Sequence, residues 1–340
     1  MPKIVKECLL NMVLMLASLV VFFIISEVSV RGLQFFSILK VLDKNSIALS
    51  APEINKHNAK LQRSENKKLA LEYDKNDPAI NSYGMRDQEY NRQAPEGVRR
   101  VAVIGDSVTF GLGVALDKTY VKGLQARINE RPHKSRYYQF MNFGVSGYSS
   151  ESELEFFKQT ARQFNPEVVV VGYVMNDPIP TARLFSVVAK EMEESKDFGR
   201  LAKKSQVLAW IKMKWKLASE AVTARGVYEE FYDPQGEYWN SVVESFKGFK
   251  ALSEQDEFKL VVVVFPMLYD FKDYPFTAYH EQALSLFKQL EIDYIDLMPV
   301  FNRYQASDFR IVKADATHPN ELGHRLAAEE IDRYFQDVLR

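Results

Sequence analysis

The sequence predicts an α/β fold in which a parallel sheet of five strands lies between two layers of helices. From Arg99 onward, short runs of β-branched residues alternate with longer amphipathic stretches, and this alternation is typical of a parallel sheet with helical crossovers. The tetravaline runs at 168–171 and 261–264 lack polar alternation, which indicates strands covered on both faces. We therefore expect three layers, α/β/α, with the strand order of flavodoxin, preceded by an N-terminal transmembrane helix.

Composition excludes few classes of function. The chain has 340 residues, a formal net charge of -1, 46% hydrophobic and 26% charged residues, which is ordinary for a folded protein. The near-zero charge gives no reason to expect nucleic acid as a partner. Cys8 is the one cysteine, so the chain can form no intrachain disulfide and has no cysteine-based metal site.

Residues 1–30 are predicted to be a short cytoplasmic tip and a membrane anchor. The run from Cys8 to Ser26 contains no charged residue and is long enough for a helix to cross a bilayer. Lys3 and Lys6 precede it, which favours a cytoplasmic N-terminus and a periplasmic or otherwise extracytoplasmic body. A cleaved signal peptide is the main alternative, but no small-x-small cleavage site closes the run.

Two regions carry weaker patterns. Residues 31–98 are polar and weakly patterned, which predicts a juxtamembrane stalk or linker before a globular domain at 99–340. About eighty residues separate Asn176 from the strand expected at Lys259, which predicts a helical insertion at about 180–255. Its stretch 201–222 is basic and amphipathic with Trp210 and Trp215. We expect this stretch to pack on the domain; a lid or a helix on the membrane surface is the alternative.

The expected elements of the globular domain follow from these patterns. Helices are expected at Tyr120–Asn129 and Glu151–Gln163, with a last one at Leu322–Phe335. Strands are expected at Arg100–Ile104, Tyr138–Asn142, Glu167–Tyr173, Lys259–Phe265 and Asp293–Asp296.

The first strand runs into VAVIGDSVTFG at 101–111, which carries a candidate nucleophile. Gly105 lets the chain turn off the strand, and Ser107 follows where the strand passes into a helix. Backbone N–H groups at such a helix start favour developing negative charge. The segment is not a dinucleotide or phosphate loop, because it lacks a third glycine and a following Gly-Lys-Ser/Thr.

The second chemical segment is DATHPNELGH at 315–324. Asp315 and His318 are three residues apart, so the carboxylate can reach the imidazole, fix its tautomer and leave the other ring nitrogen free to accept a proton from serine. Pro319 suits the first position of the following helix. By itself this segment leaves open whether His318 is a catalytic base or a cap of that helix.

Taken together, these segments resemble the SGNH (GDSL-like) hydrolase family, in a membrane-anchored bacterial form. Gly105-Asp106-Ser107 is similar to its nucleophile block and Asp315-Ala-Thr-His318 to its acid-base block. Asn142-Phe-Gly-Val-Ser-Gly147 resembles the second block and Asn176-Asp177 the third. The resemblance implies a triad of Ser107, His318 and Asp315, with an oxyanion hole of the Ser107 and Gly147 N–H groups and the Asn176 amide. Gly147 rather than Gly144 takes this role by its spacing from Asn142.

The resemblance covers about 99–340, apart from the insertion, with one departure. Val174 stands two residues before Asn176, where the family often has glycine. Its larger side chain should narrow the pocket or shift its backbone, which affects the inference about the substrate more than the inference about catalysis. Independently of the resemblance, Ser107, Gly147, Asn176 and the Asp315–His318 pair all follow predicted strands, and strand ends of a parallel sheet share the edge where ligands bind.

The expected function is a serine esterase or acyl hydrolase that acts on an O-acyl ester of a lipid or an envelope glycan. An O-acetyltransferase of cell-surface polysaccharide with the same triad is the alternative, and the resemblance implies a membrane-bound O-acyltransferase as its partner. A non-enzymatic glycan-binding scaffold is a third possibility, against which the intact triad argues. The mechanism requires no metal and no organic cofactor. His57, His133, His280 and His324 show no ligand spacing.

Overall fold

The computed structural model describes residues 11–15, 18–28, 52–131, 136–183, 204–205, 208, 228–313 and 315–338. The chain divides into two compact units, one of 1–46 with 190–226 and one of 47–189 with 227–340. The second unit contains the sheet and all the candidate site residues. Trp210 and Trp215, on which the two interpretations of the 201–222 stretch depend, lie outside the described residues.

The N-terminal apolar segment is helical at 11–15 and 18–28. It contains a candidate membrane span, Asn11–Val28, of 18 residues with a mean hydropathy of 2.2, and none of that window is buried. A helix of this length and composition is suited either to cross a membrane or to serve as a signal sequence.

The sheet has the predicted architecture. Five parallel strands, β3 (Val98–Gly105), β4 (Tyr137–Gly144), β5 (Val168–Val174), β6 (Lys259–Phe265) and β7 (Asp293–Asp296), lie in the order β4-β3-β5-β6-β7. This is the flavodoxin-like order, and each neighbouring pair is parallel. Both tetravaline runs are fully buried, because helices cover the two faces of the sheet.

The helices of the second unit are α1 (Pro52–Asn55), α2 (Ser107–Phe110), α3 (Tyr120–Asn129), α4 (Ser150–Gln159), α5 (Glu237–Gln255), α6 (Thr277–Gln289), α7 (Met298–Phe301) and α8 (Glu321–Val338). The predicted bounds of α3 are confirmed. The helix expected over Glu151–Gln163 ends at Gln159, and a 3-10 turn follows at Ala161–Phe164.

The α5 helix lies in the stretch expected to be an insertion, yet it covers the sheet. It connects β5 to β6, and its Phe246 ring packs against Tyr173 of β5 and Phe287 of α6. These contacts bury the apolar face of α5 on the central strands, as expected of a crossover helix in a parallel sheet.

The packed body begins earlier than residue 99, where the sequence pattern places its start. Strands β1 (Leu61–Arg63) and β2 (Leu71–Tyr73) form an antiparallel ribbon, and residues such as Ile54, Tyr73 and Met85 are buried in the same core as the sheet. These apolar residues are widely spaced between polar ones and follow neither a helical nor a strand period. Periodicity therefore gives no sign of their burial.

Candidate active site

The nucleophile segment is fixed at the end of β3. Asp106 caps α2 by accepting a hydrogen bond from the Val108 N–H at 2.8 Å, which leaves Ser107 as the first residue of the helix. Gly105 is required for close packing, because a Cβ there would lie 2.0 Å from Thr109 Oγ1. The strand-to-helix turn therefore presents Ser107 at the carboxyl edge of the sheet.

The structure brings Ser107, His318 and Asp315 into one hydrogen-bonded line. Ser107 Oγ lies 2.9 Å from His318 Nε2, and His318 Nδ1 lies 3.0 Å from Asp315 Oδ2. The Asp315 carboxylate also accepts the backbone N–H groups of Thr317 and His318, each at 3.0 Å. All three side chains are buried, so the geometry needed for proton transfer from the hydroxyl is already present.

His318 does not cap the helix that follows it. Asn320 accepts the N–H groups of Leu322 and Gly323 through its side-chain oxygen, at 3.0 and 3.3 Å, and α8 begins at Glu321. The prediction that Pro319 occupies the first helical position is therefore wrong, because Asn320 takes the cap one residue later. Both ring nitrogens of His318 remain engaged with Asp315 and Ser107.

The contact between Asp315 and His318 raises the pKa of the histidine and lowers the pKa of the aspartate. Burial alone would lower the pKa of His318, but the charge and hydrogen bond of Asp315, together with the charge of Asp106, outweigh it and raise that pKa. Burial would raise the pKa of Asp315, but the His318 interactions outweigh it and lower that pKa. The pair thus favours an imidazolium beside a carboxylate, the charge state that forms when a base takes a proton from serine.

Strand β4 leads into the loop that carries Gly147. The Gly144 N–H donates to Asn142 Oδ1 at 2.9 Å, so it is not free for a ligand. A Cβ on Gly144 would lie 2.1 Å from the Phe110 nitrogen, which explains glycine there as a close contact with α2. Gly147 has a φ of 84°, a backbone conformation that glycine adopts without strain.

Asn176 and the candidate nucleophile Ser107 both contact the side chain of Asp106. Its Nδ2 donates to Asp106 Oδ2 at 3.2 Å, and the same oxygen lies 3.3 Å from Ser107 Oγ. An amide nitrogen carries two hydrogens, and this contact uses one of them. The Asn176 amide and the Ser107 hydroxyl are thus positioned by one buried carboxylate.

Sequence reasoning missed a group of buried carboxyl groups behind the site. Glu153 on α4 and Asp177, next to Asn176, are almost fully inaccessible, and none of their four carboxyl oxygens has a hydrogen-bond partner among the described residues. Burial and the charge of Asp106 raise the pKa of both groups, and the charge of Glu153 raises the pKa of Asp177 further. We therefore infer that they are protonated at neutral pH, because unpaired buried charges are disfavoured.

This protonation predicts the effect of Glu153→Gln on stability. A carboxyl group with a raised pKa binds a proton in the folded state that it has lost in the unfolded state, so the free energy of unfolding falls as pH rises above the unfolded pKa. The amide removes that loss, which amounts to about 1.36 kcal/mol for each unit of pKa shift. The melting temperature of Glu153→Gln minus that of the wild type should therefore become more positive as the pH is raised from 5 to 8.

The control is Glu151→Gln on the same helix, where the Glu151 side chain is half exposed and a surface substitution usually changes the free energy of unfolding by less than about 0.5 kcal/mol. A melting-temperature difference for Glu153→Gln that stays constant from pH 5 to pH 8 would contradict the assignment of a proton to this group.

The residues that could bind a metal do not cluster. Within the described parts of the chain, no group of three or more His, Cys, Asp or Glu side chains is arranged to hold an ion.

Comparison with known proteins relates this arrangement to one family. The family model of the GDSL-like lipase/acylhydrolases matches residues 103–326, more than half of the chain. No curated protein sequence matches.

Solved structures with similarity to this chain include an acetyl xylan esterase, AlAXEase, with 16% identity over 69% of this chain and 98% of that one and a TM-score of 0.46. A catalytic mutant of Axe2, an acetylxylan esterase from Geobacillus stearothermophilus, has 12% identity over 69% of this chain and 93% of that one, also with a TM-score of 0.46. By the extent of the family match, the chain belongs to the GDSL-like lipase/acylhydrolase family.

Proposed function

We propose that this acylhydrolase is a serine esterase in which Ser107 is the nucleophile, His318 the general base and Asp315 the carboxylate that orients His318 and stabilises its protonated form. The observation that carries the proposal is the buried line of contacts from Asp315 through His318 to Ser107, at 3.0 and 2.9 Å. Nucleophile and base lie within hydrogen-bond reach, and the base is oriented by a third group, which is the arrangement of an activated serine.

In the proposed reaction, His318 Nε2 takes the proton of Ser107 as its oxygen attacks the ester carbonyl. Asp315 stabilises the imidazolium. The imidazolium then gives its proton to the departing alcohol, and an acyl-enzyme remains on Ser107. Water attacks this acyl group with His318 as base, which releases the carboxylic acid and regenerates the serine.

The oxyanion would be held by the Ser107 and Gly147 N–H groups and by the Asn176 amide. The engagement of the Gly144 N–H by Asn142 supports Gly147 as the donor from its loop. The contact of Asn176 with Asp106 supports an amide preorganised beside Ser107. Loss of one such donor typically costs about 2.7–4 kcal/mol of transition-state stabilisation.

The proposed substrate is an O-acyl ester of a lipid or a cell-envelope glycan, reached by a domain tethered outside the cytoplasm. The exposed apolar helix over Asn11–Val28 supports a tether that keeps the body close to the envelope. A sugar hydroxyl in place of water would resolve the same acyl-enzyme by transfer, which is the reaction of an O-acetyltransferase.

The test compares release with transfer. Purified full-length protein in detergent is incubated with 4-nitrophenyl acetate and then with acetylated polysaccharide, with and without an oligosaccharide acceptor. We expect free acetate in every case and none above background from Ser107→Ala. If most of the acetate is found on the acceptor and little is released, the reaction is transfer rather than hydrolysis. Absence of both reactions in the wild type would contradict the proposed function.

A further inference from the structure

The segment 52–98 reaches the candidate active site, although it precedes the residues 103–326 that the family model matches. Two of its side chains, Tyr73 and Arg86, are buried and contact the elements that carry Ser107 and Gly147. Neither residue has a part in the mechanism proposed above.

The hydroxyl of Tyr73 holds the loop that carries Gly147. Tyr73 Oη donates to Ser146 Oγ at 2.8 Å and accepts the Ser146 N–H at 3.1 Å. Ser146 directly precedes Gly147, so both the backbone and the side chain of the neighbouring residue are fixed. Burial raises the pKa of Tyr73, which keeps the hydroxyl protonated and able to donate.

The ring of Tyr73 holds the helix that carries Ser107. It stacks on Phe110, the last residue of α2, with 4.8 Å between ring centroids. The Arg86 guanidinium lies 4.8 Å from the centre of the same Phe110 ring. It also donates to the Phe110 and Gly111 carbonyls, at 3.0 and 2.7 Å, which are backbone acceptors at the end of α2.

These contacts matter because α2 is only four residues long. A helix this short has too few internal hydrogen bonds to fix its own direction, which therefore depends on tertiary contacts. The placement of the nucleophile relative to an oxyanion donor is demanding, since a displacement of about 1 Å can cost 10²-fold in rate. Tyr73 contacts both elements with one side chain.

We infer that Tyr73 is a positioning residue for the esterase reaction, which sets the place of the Gly147 N–H relative to Ser107. The inference rests on the proposed function, because it assigns Tyr73 to the same site. It also makes the segment 52–98 part of the catalytic domain rather than only a connection to the apolar helix.

Tyr73→Phe separates this role from general packing, because it removes the hydroxyl and keeps the ring on Phe110. With 4-nitrophenyl acetate as substrate, we expect kcat to fall about ten- to hundredfold, with KM within about twofold of wild type. The matched control is Tyr90→Phe. Tyr90 is another buried tyrosine of the segment, whose hydroxyl accepts from Lys122 Nζ at 3.1 Å, and its loss should leave kcat within about twofold.

A double-mutant cycle with Ser146→Ala completes the test. Because the side-chain hydrogen bond that Ser146→Ala removes is one of the two that Tyr73→Phe removes, the double variant should be no slower than Tyr73→Phe alone, within about twofold. Wild-type kcat in Tyr73→Phe, an equal loss in Tyr90→Phe, or independent losses in the cycle would each overturn the inference while the esterase activity of the wild type stands. A wild-type protein without esterase activity would overturn the proposed function and the inference with it.

Discussion

His318→Ala is expected to lower kcat for ester hydrolysis on the order of 10⁴- to 10⁶-fold. Among the described residues, Ser107 Oγ has two partners within hydrogen-bond distance, the imidazole of His318 at 2.9 Å and the Asp106 side chain at 3.3 Å. The imidazole is the closer of the two and is the proposed base. Without it, the serine must lose its proton to water. Ser107→Ala should give a loss of similar size, and the double variant should be no slower than either single one, because the two groups act as a unit.

The matched control is His280→Ala. His280 is also buried and forms a second His–Asp pair, with Nε2 at 2.9 Å from Asp296 Oδ1, but its pair includes no serine. We expect its removal to affect the melting temperature rather than kcat. Steady-state kinetics on folded protein distinguish the two histidines, and near-normal turnover by His318→Ala would mean that the base is wrongly assigned.

Asp315→Asn is expected to lower kcat by about 10⁴-fold. The amide can present its N–H rather than an acceptor to His318 Nδ1, which favours the wrong tautomer of the ring. The substitution also removes the charge that raises the pKa of His318.

The pH dependence of kcat/KM provides a second readout of this variant. In the wild type the acidic limb should lie above pH 6.5, the usual pKa of histidine. His318 acts as a base only after it has lost its proton, and Asp315 raises the pKa of that loss. In Asp315→Asn burial dominates, so the limb of the residual activity should move to lower pH. Asp296→Asn is the control. An unchanged limb in Asp315→Asn would contradict the assigned electrostatic role.

Much of the fold follows from local sequence patterns. The tetravaline runs lack polar alternation, which indicates strands covered on both faces, and the observed β6 and β7 have the predicted bounds. The sequence groups Ser107, Gly147 and Asn176 because each follows a strand end, and such ends meet at one edge of the sheet. The Asp315–His318 pair comes after the helix Met298–Phe301 and the 3-10 turn Ala306–Phe309, so strand order alone does not place it there.

The missed features depend on contacts between distant parts of the chain. Tyr73 meets Ser146 across 73 residues, and nothing in the polar sequence around Tyr73 indicates which face it buries. Glu153 lies in the first turn of α4, where an exposed acidic residue is favourable beside the helix N-terminus. Its sequence position therefore suggests a solvated residue, and only tertiary packing reveals its burial. The predicted end of α4 is wrong for a different reason, because helix ends depend on local turns such as Ala161–Phe164.

The most direct test of the central claim is covalent labelling by a fluorophosphonate, followed by mass spectrometry of the digested protein. An activated serine displaces the fluoride and keeps the phosphonyl group. The account predicts one adduct on the peptide that contains Ser107, abolished in Ser107→Ala and strongly slowed in His318→Ala. An adduct on another residue, or no adduct on a folded wild-type protein under conditions that label a known serine esterase, would contradict it.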